Sequence, residues 1–423
     1  MTERQKTLEG RKLYIPPMAY GSARTVAAVF RSMGIDAMPT PPSDEKTLEL
    51  GGRYTSGDEC YPEKVTLGDA LRIAEQPGFE PEKTAFFMPT ATGPCRFGQY
   101  AILLEKVFRE IGADEVLVFS PSSRDGYGGI GSENVERAVW RSLVAADALR
   151  KMLLRSRPYE TNRGDTDAVY EESLKRLCGV LEKNDVPAGR RLEMIVECLR
   201  KARDAFRAVP AKYVKDRPLV GIVGEIFCRL NRFSNEDLAR KVEEQGGETW
   251  LSDIAEWVWY TNSEKRLRIK DEGLHVAANL AKAKMKEIVQ RSDEHAIMKP
   301  FEEDFIGIEE PDGVEEILGN AEPYLPRRGA LGEMVLSVGK SVYLHGKGAD
   351  GVIDISPFSC MNGIVCEAVY PQVSKDHDGI PIRNFYFDGT QVDLEQQIGI
   401  FLELARSYRD RKKAPRRFPA YFE

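Results

Sequence analysis

Histidine is scarce in this chain: only four occur among 423 residues, and none stands four positions from another. That shortage argues against a zinc site built on a helical histidine pair. Close cysteine repeats of the CxxC kind are absent, and so is any G-x-x-x-x-G-K-[ST] phosphate loop. Surplus positive charge is missing too. Asp and Glu number 67 against 60 Lys and Arg, a net charge of −7 that offers no broad basic field to a nucleic-acid backbone. No run of about 18 apolar residues is present, which excludes a membrane-spanning helix. The opening MTERQKTLEGRKLYIPP lacks the apolar core of a signal peptide, so a cytoplasmic protein is expected. Cysteine is an odd count, seven, widely spaced in a chain too long to need stapling. Such thiols fit metal ligands or free side chains better than a disulfide framework.

What is present follows an α/β grammar. Lys12–Pro16, Ser22–Met33 and Ile35–Met38 read as strand, helix and strand, with Gly34 as the helix stop. The same series returns in KTAFFMP (83–89), a helix from about Phe97 to Ile111, and EVLVFS (115–120); continuous apolar runs imply strands covered on both faces. A second series starts with PLVGIV (218–223), then a helix introduced by Ser234 with Asp237 in a capping-box arrangement. It continues through a charged helical stretch at about 264–294, with apolar positions that include Leu274 and Met285, and closes with GVIDISPF (351–358), NFYFDG (384–389) and a helix over Val392–Tyr408. The expected fold is α/β: two Rossmann-like or flavodoxin-like parallel-sheet domains joined by a helical segment. The boundaries are an N-terminal α/β domain at 1–135 carrying Cys60 and Cys95, a helical connector at 136–212, a C-terminal α/β domain at 213–410 carrying Cys360, and a basic tail at 411–423. The tail RDRKKAPRRFPAYFE is basic and proline-broken, and reads as solvated or held by a partner.

Three cysteines stand where short loops turn into helices. Cys60 lies in SGDECYPEK, where Pro62 suits a first helical turn. Cys95, in TATGPCRFGQY, and Cys360, in ISPFSCMNG, each follow a presumed strand, at the sheet edge where open α/β folds bind ligands. A helix start offers unpaired N–H groups and the positive end of a dipole, which favours thiolate and suits an iron–sulfur cluster. Three thiolates leave one iron of a cubane open. The competing reading is three inert buried cysteines. Cys228, after the strand at 218–223, is a possible further ligand. Cys366, six residues beyond Cys360, is about 240° round a helix from it and reads first as a core thiol. Cys178 and Cys198 read as packing.

Other candidates are carboxylates. Glu225, just past a strand, and Asp354, inside one, are placed for burial to raise their pKa. Asp253 and Glu256 lie in WLSDIAEWVWYTN (250–262), which holds three of the four tryptophans. A helical turn there sets Asp253, Glu256 and Trp257 on one side. Glu225, Asp253 and Glu256 are the catalytic candidates, each weighed against a structural role. GYGGIG (126–131) matches G-x-G-x-x-G, but no strand with a ribose-binding acid follows at the required distance, so it reads as a loop.

Taken together, YTSGDECYPEKVTLGD, PTATGPCRFGQY, GEIFCRLNRFSNEDL and ISPFSCMNGIV resemble the 2-hydroxyacyl-CoA dehydratase family, in the branch related to the CoA-substrate-specific enzyme activases. The likeness runs over nearly the whole chain. It implies that Cys60, Cys95 and Cys360 bind a [4Fe-4S] cluster in a crevice of the two domains. It further implies an acyl-CoA-type substrate and an ATP-hydrolysing iron–sulfur activator protein as electron donor, and it gives a dimer as the expected assembly. One injected electron makes a thioester ketyl that can expel an α-hydroxyl, a step ordinary acid–base catalysis manages poorly. The alternatives are a double-cubane-type reductase, a cluster-carrying electron-transfer protein without turnover, and a cluster-free interaction protein. The double-cubane reading wants six thiolates, whereas five cysteines are near enough to serve.

Overall fold

The computed structural model describes residues 8–423 apart from Thr92, Gly126, Gly128, Gly129, Asp185, Leu274, Leu331, Gln391 and Val392. The glycine loop at 126–131, Leu274 and the expected helix start at Val392 therefore lie wholly or partly outside the described residues.

The first series runs β1 (Lys12–Ile15), α1 (Tyr20–Arg31), β2 (Ala37–Pro39), α2 (Glu45–Arg53), α3 (Tyr61–Ala74), β3 (Thr84–Phe87), a short 3-10 turn at Arg96–Gln99, α4 (Tyr100–Glu110) and β4 (Leu117–Phe119). Its four strands pair in parallel in the order β2-β1-β3-β4, with Leu13 beside Ala37 on one side and Ala85 on the other. Strand side chains alternate between faces, and both faces are apolar. Leu13, Ile15, Ala85 and Phe119 pack with Phe30 on one face, while Tyr14 and Phe86 pack with Leu67, Leu104 and Phe108 on the other.

Three helices follow: α5 (Glu133–Ser156), α6 (Asp165–Leu181) and α7 (Ala188–Arg207). The second series is β5 (Leu219–Gly224), α8 (Ile226–Leu230), α9 (Leu238–Glu244), β6 (Glu248–Leu251), α10 (Ile254–Glu272), α11 (Val276–Met298), α12 (Val314–Ala321), α13 (Glu333–Gly346), β7 (Gly351–Pro357), α14 (Met361–Asp376), β8 (Ile382–Phe387) and α15 (Leu394–Arg409). Its sheet is again parallel and four-stranded, in the order β6-β5-β7-β8, and β5 and β7 are buried at every residue. Two parallel-sheet α/β domains are what the apolar runs predict.

In both sheets the chain steps to one side for the second strand, then crosses to the other for the third. The reversal leaves a crevice at the C-terminal ends of β1 and β3, and likewise of β5 and β7, where such folds take ligands. By contact density the chain forms two compact units, one of residues 1–146, 174–198 and 261–297 and the other of residues 147–173, 199–260 and 298–423, so the boundaries fall within helices.

Each series places a tight helix pair before its third strand. A Cβ on Gly68 of α3 would stand 1.9 Å from the Thr47 carbonyl oxygen, and one on Gly51 of α2 would stand 2.1 Å from that of Lys64. A Cβ on Gly339 of α13 would stand 1.9 Å from the Ile317 carbonyl oxygen. These contacts admit only glycine.

Several sequence expectations are corrected. Ser234 does not cap a helix with Asp237. The Asn231 side chain instead accepts from the Ser234 N–H at 2.8 Å, Asn235 donates to the carbonyls of Cys228 and Arg229, and α9 starts only at Leu238. The stretch at 264–294 is two helices that break at Gly273, whose φ of +69° ends α10. Asp253 stands just before α10 rather than within the same helical turn as Glu256 and Trp257, and Trp250 lies in β6.

The basic tail is held by the chain itself, although Arg411, Lys413 and Arg417 stay exposed. Arg416 donates to Glu248 at 2.6 Å, and Lys412 pairs with Asp350 at 2.6 Å. Phe422 packs against Tyr159 and Tyr213 at centroid distances of 5.2 and 5.1 Å. Arg155 also pairs with Glu248; burial would raise that carboxyl, but Arg416 and Arg155 hold it down at about 2. Among the described residues no helix is long and apolar enough to cross a membrane.

Candidate cysteine site

All three singled-out cysteines occupy the residue that opens a helix. Cys60 is the N-cap of α3, Cys95 of the 3-10 turn leading into α4, and Cys360 of α14. Their backbones are alike, with φ and ψ of −73° and 157°, −68° and 133°, and −68° and 124°. At Cys360 the N–H groups of Asn362 and Gly363, in the first turn of α14, lie close enough to the sulfur to favour its charged form. A serine or aspartate at such a position would satisfy the first N–H groups. Cysteine instead sets a sulfur where those groups and the dipole favour negative charge.

The sequence dictates this placement locally. Pro62 stands in the first turn of α3, as its fixed φ and missing N–H allow. Cys95 and Cys360 follow β3 and β7, the inner strands that border the two crevices. Ser359, just before Cys360, holds φ at +59°, and a Cβ on Gly363 would stand 2.5 Å from the Ser356 hydroxyl oxygen. The chain is thus turned sharply off β7 and α14 is seated directly on the strand.

Cys60 and Cys95 lie in loops that are tied together. The Arg96 guanidinium donates to the Asp58 carbonyl at 2.8 Å, and the Cys60 sulfur lies 2.7 Å from the Tyr100 hydroxyl. Cys95 is exposed and Cys60 partly buried. One turn into α3, burial and then Glu59 push the Glu63 carboxyl up to about 7, with Arg96 pulling against them.

Around Cys360 the surroundings are acidic. Burial pushes its thiol up to about 12; the N–H groups of Gly363 and Asn362 oppose this, while Glu225 and Glu333 add to it. Glu225 caps α8 by accepting from the N–H groups of Phe227 and Cys228 at 3.0 and 2.8 Å. Burial, followed by Glu333, pushes its carboxyl up to about 7. Glu333 accepts from the Asn362 amide at 2.9 Å and is itself raised by burial. Sequence reasoning found Glu225 but missed Glu333 and Asn362, although Asn362 stands in the quoted ISPFSCMNGIV.

The other candidates fall elsewhere. Asp253 accepts from Arg150 at 2.9 Å, and Glu256 pairs with Lys340 at 3.0 Å, in a buried network that also joins Lys151 and Glu310. Asp354 accepts from the Ser356 hydroxyl at 2.7 Å and from Tyr370. Cys366 is 1% exposed with its sulfur 3.5 Å from the Met334 carbonyl, and Cys228 is wholly buried on α8. Cys178 and Cys198 are buried on α6 and α7, as packing requires.

The donor chemistry of the three N-cap cysteines suits an iron–sulfur cluster. Each sulfur sits at a helix start, and N–H groups of the first turn of α14 already influence the Cys360 sulfur. A thiol pushed up to about 12 becomes a thiolate only when a cation supplies the missing charge, which is what cluster iron does. No protein-family model matches the chain, and no curated protein matches it.

Proposed function

We propose that Cys60, Cys95 and Cys360 hold a [4Fe-4S] cluster with one open iron, that this cluster takes single electrons from an ATP-hydrolysing iron–sulfur activator, and that it acts on an acyl-CoA-type substrate. The observation that carries the reading is the shared placement of these three cysteines, each the N-cap residue of a helix. When bound, the cluster supplies a Lewis-acidic iron beside an electron store. The chain's own residues do the rest. Helix-start N–H groups stabilise thiolate charge, and Glu225, pushed up to about 7, can hold or release a proton near neutral pH. Phe358 and Ile364, 64% and 53% exposed on either side of Cys360, offer an acyl chain apolar surface.

Anaerobic purification with iron and sulfide analysis tests the cluster. Cys95→Ala and Cys360→Ala should lose it, whereas Cys178→Ala should keep the wild-type content. Adding the activator, ATP and a reductant should produce the electron paramagnetic resonance signal of a reduced cluster. Protein that holds no iron under any reconstitution would favour the interaction-protein reading. A cluster that the activator never reduces would remove the ATP-driven chemistry.

A further inference from the structure

The Cys60 sulfur has a close neighbour that the resemblance does not account for. Tyr100 is the first residue of α4, five positions after Cys95, and its hydroxyl oxygen lies 2.7 Å from the Cys60 sulfur. The ring is 8% exposed, packed edge-on to Phe97 at a centroid distance of 5.2 Å, and belongs to the core of Leu67, Leu71 and Leu104. So held, the hydroxyl cannot swing away to water. The residue also sits on the segment that carries one thiol while touching the other, next to the Arg96 bond that joins the same two loops.

We propose that the Tyr100 hydroxyl donates a hydrogen bond to the Cys60 thiolate and thereby makes the cluster easier to reduce. The inference rests on the cluster reading above. A sulfur bound to iron carries no proton, so in this pair only the tyrosine can donate. Uptake of one electron from the activator adds one negative charge to the cluster and its thiolates. A donor aimed at a ligand sulfur stabilises that added charge, so the reduced form gains more than the oxidised form. Tyr100 is a positioning and tuning residue here, since it contacts a ligand and not the substrate.

The test compares midpoint potentials from electron paramagnetic resonance titrations with soluble mediators, on anaerobically purified full-length protein. Tyr100→Phe keeps the ring and removes only the hydroxyl. It should retain wild-type iron and sulfide while its midpoint moves to a more negative potential. Replacing Tyr100 with 3-fluorotyrosine, a stronger donor of the same shape, should move the midpoint the opposite way, and a purely structural role would not produce opposed shifts. Phe97→Leu, which loosens the same ring without touching a donor, should leave the potential at the wild-type value. Equal potentials for wild type, Tyr100→Phe and the fluorotyrosine protein would overturn the proposal while leaving the cluster in place. Loss of iron from a folded Tyr100→Phe protein would overturn it as well, making the residue a structural prop. Absence of iron from wild type would instead remove the cluster reading, and this inference with it.

Discussion

In the β1–β4 series the helix leading toward the third strand starts at Cys60; in the β5–β8 series the corresponding helix, α13, starts at Gly332 with Glu333 behind it. Three features around that position match. Both sheets have the same strand order, both third strands follow a helix pair closed by glycine, and both are followed by a cysteine N-cap, Cys95 or Cys360. One frame therefore carries two thiols beside Arg96, Tyr100, Glu59 and Glu63, and the other carries one thiol beside Glu225 and Glu333. A frame of this kind fixes where a side chain points, and the residue placed there decides the chemistry.

Five substitutions, at three kinds of position, sharpen or break that comparison. The largest effect belongs to the helix crossings. Gly68→Ala and Gly339→Ala each drive a methyl into a backbone carbonyl and should each cost about 3 kcal/mol, toward the upper end for overpacked cores. Denaturant unfolding of both variants checks this. Similar losses would support equivalence of the two helix pairs, and a tolerated alanine in either would end it.

Next come two buried carboxyls held by hydroxyls. Asp69 accepts from Ser43 and Thr47, both at 2.8 Å, and burial pushes it up to about 7; Asp354, held by Ser356 and Tyr370, is also raised by burial. A carboxyl raised on folding contributes stability below its unfolded pKa and loses it as pH climbs through the folded value. For Asp69 that loss falls between about pH 4 and pH 7. Asp69→Asn removes the titration, so its stability relative to wild type should rise over that window by about 4 kcal/mol, at about 1.4 kcal/mol for each of about 3 pKa units, while any lost bonding displaces the curve equally at every pH. Asp354→Asn should change in the same direction. Melting temperatures measured from pH 4.5 to 8 decide it, and a parallel displacement at every pH would contradict the burial argument.

The smallest effect concerns Cys366, which stands six residues after Cys360, as Ala101 stands six after Cys95. Cys366→Ala should cost under about 1 kcal/mol, the loss of one buried atom and a weak sulfur contact, and should leave iron content unchanged. A fall in iron would give this thiol a part in the site and set the two frames further apart.

Much of this frame was legible in sequence. Apolar runs at 83–89, 115–120, 218–223 and 351–358 allow only strands covered on both faces, and Pro62 marks the start of the Cys60 helix. The N-cap geometry of all three cysteines follows from such local signals. What escaped depends on partners far along the chain. β6 opens with a buried Glu248; Tyr159, Arg155 and Arg416, 89, 93 and 168 residues away, make that carboxylate tolerable in a strand. The same distance hid the partners within the chain that hold the tail. Glu333 gains meaning only beside Glu225 and Asn362, which no spacing rule connects to it.

That tail has a consequence for synthesis. Glu248 is neutralised in part by Arg416, and Tyr159 and Tyr213 are covered by Phe422. Until residues 412–423 have left the ribosome, a finished β5–β7 sheet carries an undercompensated buried charge and an uncovered aromatic surface. The first strand series shares its compact unit with residues 174–198 and 261–297 and not with the tail, so it can consolidate before the tail is made. The second must wait, so the interval between translation of β8 and release of the tail is when this chain has most need of a chaperone.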